Sequence, residues 1–590
     1  MILIVNPLKR VNMKKLKKSY STRQSNKIIV LSIIVLLIAS INNLKAGDVK
    51  NEGIVEYGYK NNGKEFPGRT LKMIYKDGIV SYSSERNRRG DREDKEKEYI
   101  DYNSSQTYQV LTVDTNAKYI VKTPFSENEK PVFNTETEDI LGYTCKKATI
   151  TIRSNKIEVW YTDALAIKGS PTISVAPDLG LILKMVRNGS YEVYAKSIDL
   201  RKVSKDEQEL NFEGAQEVND ETYRRNLIDS RFEIIQVFNG QQINFGDEIV
   251  NPESDQIDKT YRYSKGTVIL KKITIPLLNS GTTVIAELAA WSNGDAYDRT
   301  GSLFIIPTEK EISFLHAFRD SLGVLPVYTD VNGNEFQGVV ATDVYDPPLE
   351  LMRFFTPFGV RHFNDNVKIK GYDWADSVVY RQDIGDLLPQ DSSAVWIGVF
   401  IGNYDKGGHK ASLRLKIYPS FSRGESDKKW IKPLFNTLNI MEMSGQNYGT
   451  MFHGDSLHVT FEVPEGVKDI QLRYTSTGHG GWGGGDEFNP KLNEIFIDGK
   501  RVYAFIPWRT DCATYRLYNP ASGNFGNGLS SSDLSRSNWC PGALTVPEII
   551  ELKDLTPGKH IMKIAIPIGK REGGSFSAWN VSGTLIGKFE

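Results

Sequence analysis

The sequence predicts an all-β protein: two consecutive β-sandwiches preceded by a separate β-rich N-terminal domain. Three observations carry this expectation. The chain has 590 residues, more than one hydrophobic core usually supports, so two to four domains are expected. Gly (50), Tyr (28) and Phe (26) are plentiful, which suits strands joined by tight turns. Runs with a helical period are scarce, whereas short alternating stretches recur.

In chain order, basic residues between Lys14 and Lys27 precede an apolar run, Ile28 to Ile41, that is short for a membrane span and is followed by Ala46. This reads as a signal peptide over 1–46, with Met13 a candidate start and an uncleaved anchor the alternative. No Cys follows the apolar run, so a lipid-modified N-terminal cysteine has no support. The expectation is an exported, periplasmic or secreted bacterial protein with no membrane span after processing. Residues 47–204 form the β-rich domain, with alternating stretches such as Lys156 to Thr162 and Tyr191 to Ile198. The polar segment 205–231, containing ETYRRNLIDS, reads as a connecting helix or linker.

Residues 232–428 form the first sandwich, with strands expected at Thr283 to Trp291, Ser302 to Pro307, Val395 to Gly402 and Leu413 to Tyr418. The polar break Ser422 to Lys429 introduces the second, 429–590, with strands at Ser456 to Val463, Ile470 to Ser476 and Glu494 to Trp508. Within the last, Asp498-Gly499 between alternating apolar residues is the strongest hairpin signal of the chain.

Lys plus Arg and Asp plus Glu both number 73, which removes the electrostatic argument for nucleic acid or an anionic membrane surface as the main partner. Of three cysteines, Cys145 reads as a small core residue. Cys512 and Cys540 either form a disulfide, favoured by an oxidising compartment and contributing about 3 kcal/mol, or remain two buried thiols. His-Glu-x-x-His, Cys-x-x-Cys and Gly-x-Ser-x-Gly are absent, which disfavours zinc and serine hydrolases, and no metal or cofactor is expected. The glycines at 480, 481, 483, 484 and 485 have no following Lys-Ser/Thr and make a poor phosphate cradle.

Carboxylate chemistry on loops beside strands remains, in three segments. Asp295-Ala296-Tyr297-Asp298-Arg299 precedes a strand, and the Arg299 guanidinium is expected to hold Asp298 ionised; the plain alternative is an Asp-rich turn. The run Gly478 to Phe488 carries His479, Trp482 and Glu487, joining a carboxylate to aromatics as carbohydrate sites do; the alternative is a solvated loop. Arg536-Ser537-Asn538-Trp539-Cys540-Pro541-Gly542 is a rigid turn whose Arg could reach a ligand, or a merely structural disulfide turn.

Together these segments resemble the bacterial peptide:N-glycosidase F family over roughly Phe232 to Glu590. AYDRTGSLFIIP, RFFTPFGV (Arg353 to Val360), DEFNPKLNEIFIDG and SRSNWCPG carry the likeness. It implies two eight-stranded jelly rolls with a substrate cleft at their interface. It also implies catalytic roles for Asp298 and Glu487, substrate contacts from Arg299, Arg536, Asp295, His479, Trp482 and Trp539, and a Cys512 to Cys540 disulfide. The implied activity is hydrolysis of the amide between asparagine and the innermost N-acetylglucosamine of an N-glycan. Partners would be N-glycosylated proteins or glycopeptides, and the protein a monomer. A non-catalytic carbohydrate-binding or adhesion protein and a two-carboxylate glycosidase are the alternatives.

The sequence departs from the family pattern in three places. VWIGVFIGNYDKGG has no Glu where the family has a further functional one, and Asp405 is not assigned that role; His479 replaces a tryptophan; two local disulfides are missing. LGYTCKKATI with LGLILKM in the N-terminal domain resembles GLPGLI-type proteins.

Overall fold

The protein is described here by a computed structural model covering residues 51–86, 95–114, 117–246, 249–420, 428–453, 456–480, 485–568 and 577–589. The expected signal peptide and Trp482 lie outside these residues. Among the described residues no helix is long and apolar enough to cross a membrane. The chain divides into two compact units, one reaching to Tyr223 and the other running from Arg224.

The first unit is built on one 13-stranded sheet. The strand Gly53–Asn61 lies between two meanders, pairing antiparallel with Arg69–Lys76 on one side and Tyr191–Asp199 on the other. Alternation puts Val55, Tyr57, Met73, Leu181 and Leu183 into its core, and Cys145 is buried there as a free thiol. The polar stretch expected to be a connecting helix contains two helices, Lys205–Gln208 and Asp220–Asp229. Ser204 and Glu207 form a capping box on the first of these.

The second unit is two jelly rolls. In the first, β1 (Glu233–Ile243), β9 (His409–Tyr418), β4 (Thr283–Ser292) and β7 (Val378–Asp383) make one sheet. Facing it are β2 (Thr260–Tyr263), β3 (Val268–Ile275), β8 (Ser393–Ile401), β5 (Thr300–Ile306) and β6 (Leu349–Phe355). In the second roll β10 (Lys429–Asn436), β18 (Ala578–Phe589), β12 (Val467–His479) and β16 (Glu548–Glu551) face β11 (Leu457–Val463), β17 (Gly558–Ala565), β13 (Asn493–Ile497) and β14 (Lys500–Phe505). The predicted Asp498-Gly499 hairpin joins β13 to β14, with φ of 50° and 80° at the two turn residues.

The rolls share structure. Strand β15 (Leu544–Thr545) pairs with β6 and extends the first roll's sheet. Strand β6 is buried along its whole length, and a bulge at Leu351 interrupts its pairing with β5. Residues three apart on a regular strand face opposite ways; the extra residue turns Glu350 and Arg353 to the same side. There Arg353 makes a two-pronged ion pair with Glu350, Nε to Oε1 at 3.0 Å and Nη2 to Oε2 at 2.8 Å. Ser302 of the first roll and Ser582 of the second both donate to the Glu350 carboxylate. Arg353 in turn donates to the Thr477 hydroxyl and the Asn580 carbonyl of the second roll.

Removing one partner of a buried charge pair costs about 3–5 kcal/mol because the other is left uncompensated. Arg353→Met is therefore expected to shift the urea midpoint of the second unit down by that equivalent. Glu350→Gln combined with it should recover part of the loss, which a double-mutant cycle would measure.

Candidate active site

Between the rolls lies a cavity of about 590 Å³ whose wall includes Asp298, Arg299 and Tyr404 from the first roll and Glu442, His479 and Asn580 from the second. The turn after β4 delivers Asp298. Asp295 Oδ1 accepts from Tyr297 N (3.0 Å), an Asx turn, while Ser292 Oγ donates to the Asp295 carbonyl (2.6 Å). Gly294, with φ of 149°, packs against the Gly407 backbone. Asp405 is used up in that packing, its Oδ1 accepting from the backbone N–H of Gly407 (2.7 Å) and Gly408 (2.9 Å).

Arg299 does not do what the sequence led us to expect. Its guanidinium pairs with Asp295, Nε to Oδ2 at 2.7 Å and Nη2 to Oδ1 at 3.2 Å, and His409 Nε2 lies 3.5 Å from the same carboxylate. Burial pushes the Asp295 carboxyl upward, but His409 and Arg299 outweigh it and hold it at about 2. Asp295 is 2 % exposed, so it sits behind Arg299 and away from the open cavity.

Asp298 is raised, not lowered: burial pushes its carboxyl to about 7, with Arg536 opposing and the nearby Glu487 adding to the rise. Arg299 also lowers it, but least among these causes, and its guanidinium is bonded to Asp295. Local sequence adjacency was a poor guide, since neighbours on a turn leading into a strand point different ways.

Glu487 reaches the same place from the loop after β12. Asp486 anchors this loop: fully buried, it accepts from Trp579 Nε1 (2.8 Å), while its carbonyl accepts from Ser537 Oγ (2.6 Å). Burial raises the Glu487 carboxyl to about 7, against the pull of Arg536. Arg536 links the two acids, donating through Nη1 to Glu487 Oε1 and placing Nη2 4.0 Å from Asp298 Oδ2. Its guanidinium lies between the rings of Phe488 (4.8 Å) and Trp539 (4.7 Å), and Nη2 also donates to the Ser531 carbonyl (2.9 Å). Its backbone pairs with Arg509 on both sides. The Cys512–Cys540 disulfide closes the turn four residues beyond it, with Cα atoms 5.1 Å apart.

Of the other expected site residues, His479 lines the cavity, and its Nε2 lies 3.0 Å from the Thr477 hydroxyl. Burial, with Arg353 and Arg536 adding, depresses it to about 3, so the imidazole is neutral. Trp539 is 4 % exposed, stacked on Phe355 at 4.3 Å with Nε1 donating to the Gly478 carbonyl (2.9 Å). It supports Arg536 from below and offers no open face to a ligand. The sequence reading missed Asp486, Tyr404, Glu442 and Asn580; the tandem acids at 486 and 487 were the one local signal among them.

The fold is thus a double jelly roll with two raised carboxylates on one arginine in its cleft. Family profiles agree: "Peptide-N-glycosidase F, N terminal" matches residues 234–417, "Peptide-N-glycosidase F, C terminal" residues 447–586, and "N-glycanase peptide, N-terminal domain" residues 55–225. The chain belongs to the peptide-N-glycosidase F family, in the form carrying an N-terminal extension. The solved structure of PNGF-II in space group P21 is 44% identical, spans 92% of this chain and 100% of its own, and has a TM-score of 0.82. The C2 form gives 44% identity, 91% and 98% coverage, and a TM-score of 0.77. PNGase F from Flavobacterium meningosepticum, described as a glycosylasparaginase, gives 14%, 61% and 96%, with a TM-score of 0.39. No match was found among curated proteins.

The raised carboxyl of Asp298 has a thermodynamic consequence. A carboxyl whose folded pKa lies above its unfolded value favours folding when protonated, and that contribution is lost as pH rises through the folded value. For Asp298 the window runs from about 4 to about 7. The Asp298→Asn variant should therefore melt above the wild type at pH 8, with the difference closing toward pH 4, in paired calorimetric scans.

Proposed function

We propose that the protein is a peptide-N-glycosidase, an amidase that hydrolyses the bond between an asparagine side chain and the innermost N-acetylglucosamine of an N-glycan. The observation that carries this is the meeting of Asp298 and Glu487, both with pKa near 7, on the single guanidinium of Arg536. Two acids of matched strength can hold one proton between them near neutral pH, giving one base and one acid in the same cleft.

Asp298, ionised, takes a proton from water as that water attacks the amide carbon. The oxygen of the amide gains negative charge, which Arg536 and Arg299 oppose. Glu487 hands its proton to the departing nitrogen as the C–N bond breaks. The peptide retains aspartate, and the released glycosylamine hydrolyses to free glycan and ammonia. Asp295 acts through Arg299, fixing its guanidinium at the cavity wall. Substrates are N-glycosylated proteins or glycopeptides, met after export directed by the N-terminal segment.

A defined N-glycopeptide incubated with the protein in heavy-oxygen water is expected to yield heavy-labelled aspartate at the glycosylation site, read by mass spectrometry. A peptide that retains one sugar would instead mean cleavage between sugars. In the same assay Asp298→Asn should lower turnover at least about a hundredfold while keeping its circular dichroism. The pH profile of kcat should be bell-shaped around about 7, and Glu487→Gln should remove its alkaline limb, because that limb is loss of the Glu487 proton.

A further inference from the structure

His409 opens β9 and heads its inward-facing row, followed by Ala411, Leu413, Leu415 and Ile417. Those four are apolar and belong to the core of the first roll, and His409 is fully buried with them. The strand is central, with His409 opposite Ile243 of β1 on one side and Ser292 of β4 on the other. An apolar side chain would fill this place without withdrawing two ring nitrogens from water. Among the described residues neither nitrogen makes a hydrogen bond. What the ring does meet is the carboxylate of Asp295, with Nε2 3.5 Å from Oδ2.

That carboxylate is also the seat of Arg299, whose guanidinium donates to both of its oxygens. The rings of Tyr297 and Tyr404 flank the guanidinium at 5.2 and 5.8 Å, but both are exposed and give it no fixed direction. Where Arg299 points therefore depends on where the Asp295 carboxylate points. The main chain of the turn is pinned to the start of β9, because the Gly408 carbonyl accepts from Asn293 N (2.9 Å) and Asp295 N (3.3 Å). The side chain can still change rotamer, and its hydrogen-bond donors, Tyr297 N and Arg299, belong to the same short turn. His409 reaches it from outside that turn, on a strand paired along both edges.

We propose that His409 is a positioning residue: its Nε2–H, directed at Asp295 from the core, fixes that carboxylate and thereby the Arg299 guanidinium at the cavity wall. The inference rests on the amidase reading and deepens it, adding a residue that never touches substrate. The neutral tautomer with its proton on Nε2 and the imidazolium both supply that N–H. An oriented cation at the cavity wall counts most when negative charge develops on the amide oxygen. Loss of His409 should therefore fall on kcat more than on KM, as for an interaction realised in the transition state.

The test uses the full chain carrying His409→Leu or His409→Gln, since Gln sets an N–H near the place of Nε2 and Leu sets none. On a defined N-glycopeptide His409→Leu should lower kcat about tenfold with a smaller change in KM, and His409→Gln should recover most of the loss. In an Arg299→Ala background His409→Leu should cost little further, because the residue it acts through is gone. A side chain that merely packs would cost the same in both backgrounds; that additivity, or an unchanged kcat in His409→Leu, would overturn the inference. If Leu prevents folding, His409→Asn takes its place: the shorter amide stops short of Asp295, and equal kcat in the Asn and Gln variants would overturn the inference as well. A readout independent of turnover is the Nε–H NMR signal of Arg299, assigned by its loss in Arg299→Lys. It should exchange with solvent faster in His409→Leu than in the wild type and in His409→Gln. That exchange pattern, in a protein that never converts asparagine to aspartate, would leave the positioning role standing and remove the amidase reading.

Discussion

The buried ion pair of Glu350 with Arg353 is the constraint on which the geometry of the second unit depends. Two charges withdrawn from water are costly, and only full satisfaction of their hydrogen-bonding capacity offsets that cost. Here satisfaction draws on both rolls: Ser302 from the first, and Ser582, Thr477 and Asn580 from the second. Neither roll can move relative to the other without orphaning a charge. The shared β6 to β15 pairing and the Arg473 bond to the Leu351 carbonyl at 2.7 Å act in the same direction. A cleft walled by two separate sandwiches consequently has one shape before any ligand arrives.

That rigidity reaches the site through Thr477. Its hydroxyl accepts from Arg353 and stands 3.0 Å from His479 Nε2, so a hydroxyl proton directed at the ring suits an imidazole that is neutral. A protonated histidine would place a second cation beside Arg536 and compete for the same carboxylates. With His479 neutral and Arg299 committed to Asp295, Arg536 is the cation shared by Asp298 and Glu487. One positive charge is too little to hold two half-buried acids fully ionised, and both carboxyls rise toward neutrality.

How far this was legible in the sequence depended on the range of the interaction. The Asp498-Gly499 hairpin is local, and its turn residues announce it. The alternation that marks strands is also local, so the all-β class followed from pattern. Asp298, Glu487 and Arg536 were singled out through likeness to a family; by spacing alone the first segment read as an Asp-rich turn. In the fold Asp295 makes that turn, and Asp298 lines the cleft. The ion pair at the roll junction was invisible because a bulge at Leu351 sets its geometry, and nothing in LELMRFF marks where pairing will slip. The place of Glu442 on the cavity wall was equally silent, since its partner Tyr404 lies about forty residues earlier.

The site and the scaffold pull stability in opposite directions. Holding Asp298 and Glu487 where burial raises both to about 7 disfavours the folded state at neutral pH, because each acid would ionise more readily in an unfolded chain. The compensation is found close by. The Cys512–Cys540 bond closes a loop with a sequence separation of 28, a restriction of the unfolded chain on the order of 3–4 kcal/mol. It does so at the segment bearing Arg536, and Asp486 pins the neighbouring loop through Trp579 and Ser537. Stabilising contacts are therefore concentrated beside the groups that cost most to bury. This lets two unfavourable carboxyls be held in place rather than relaxing outward into solvent, where their pKa values would fall back toward those of free carboxylates.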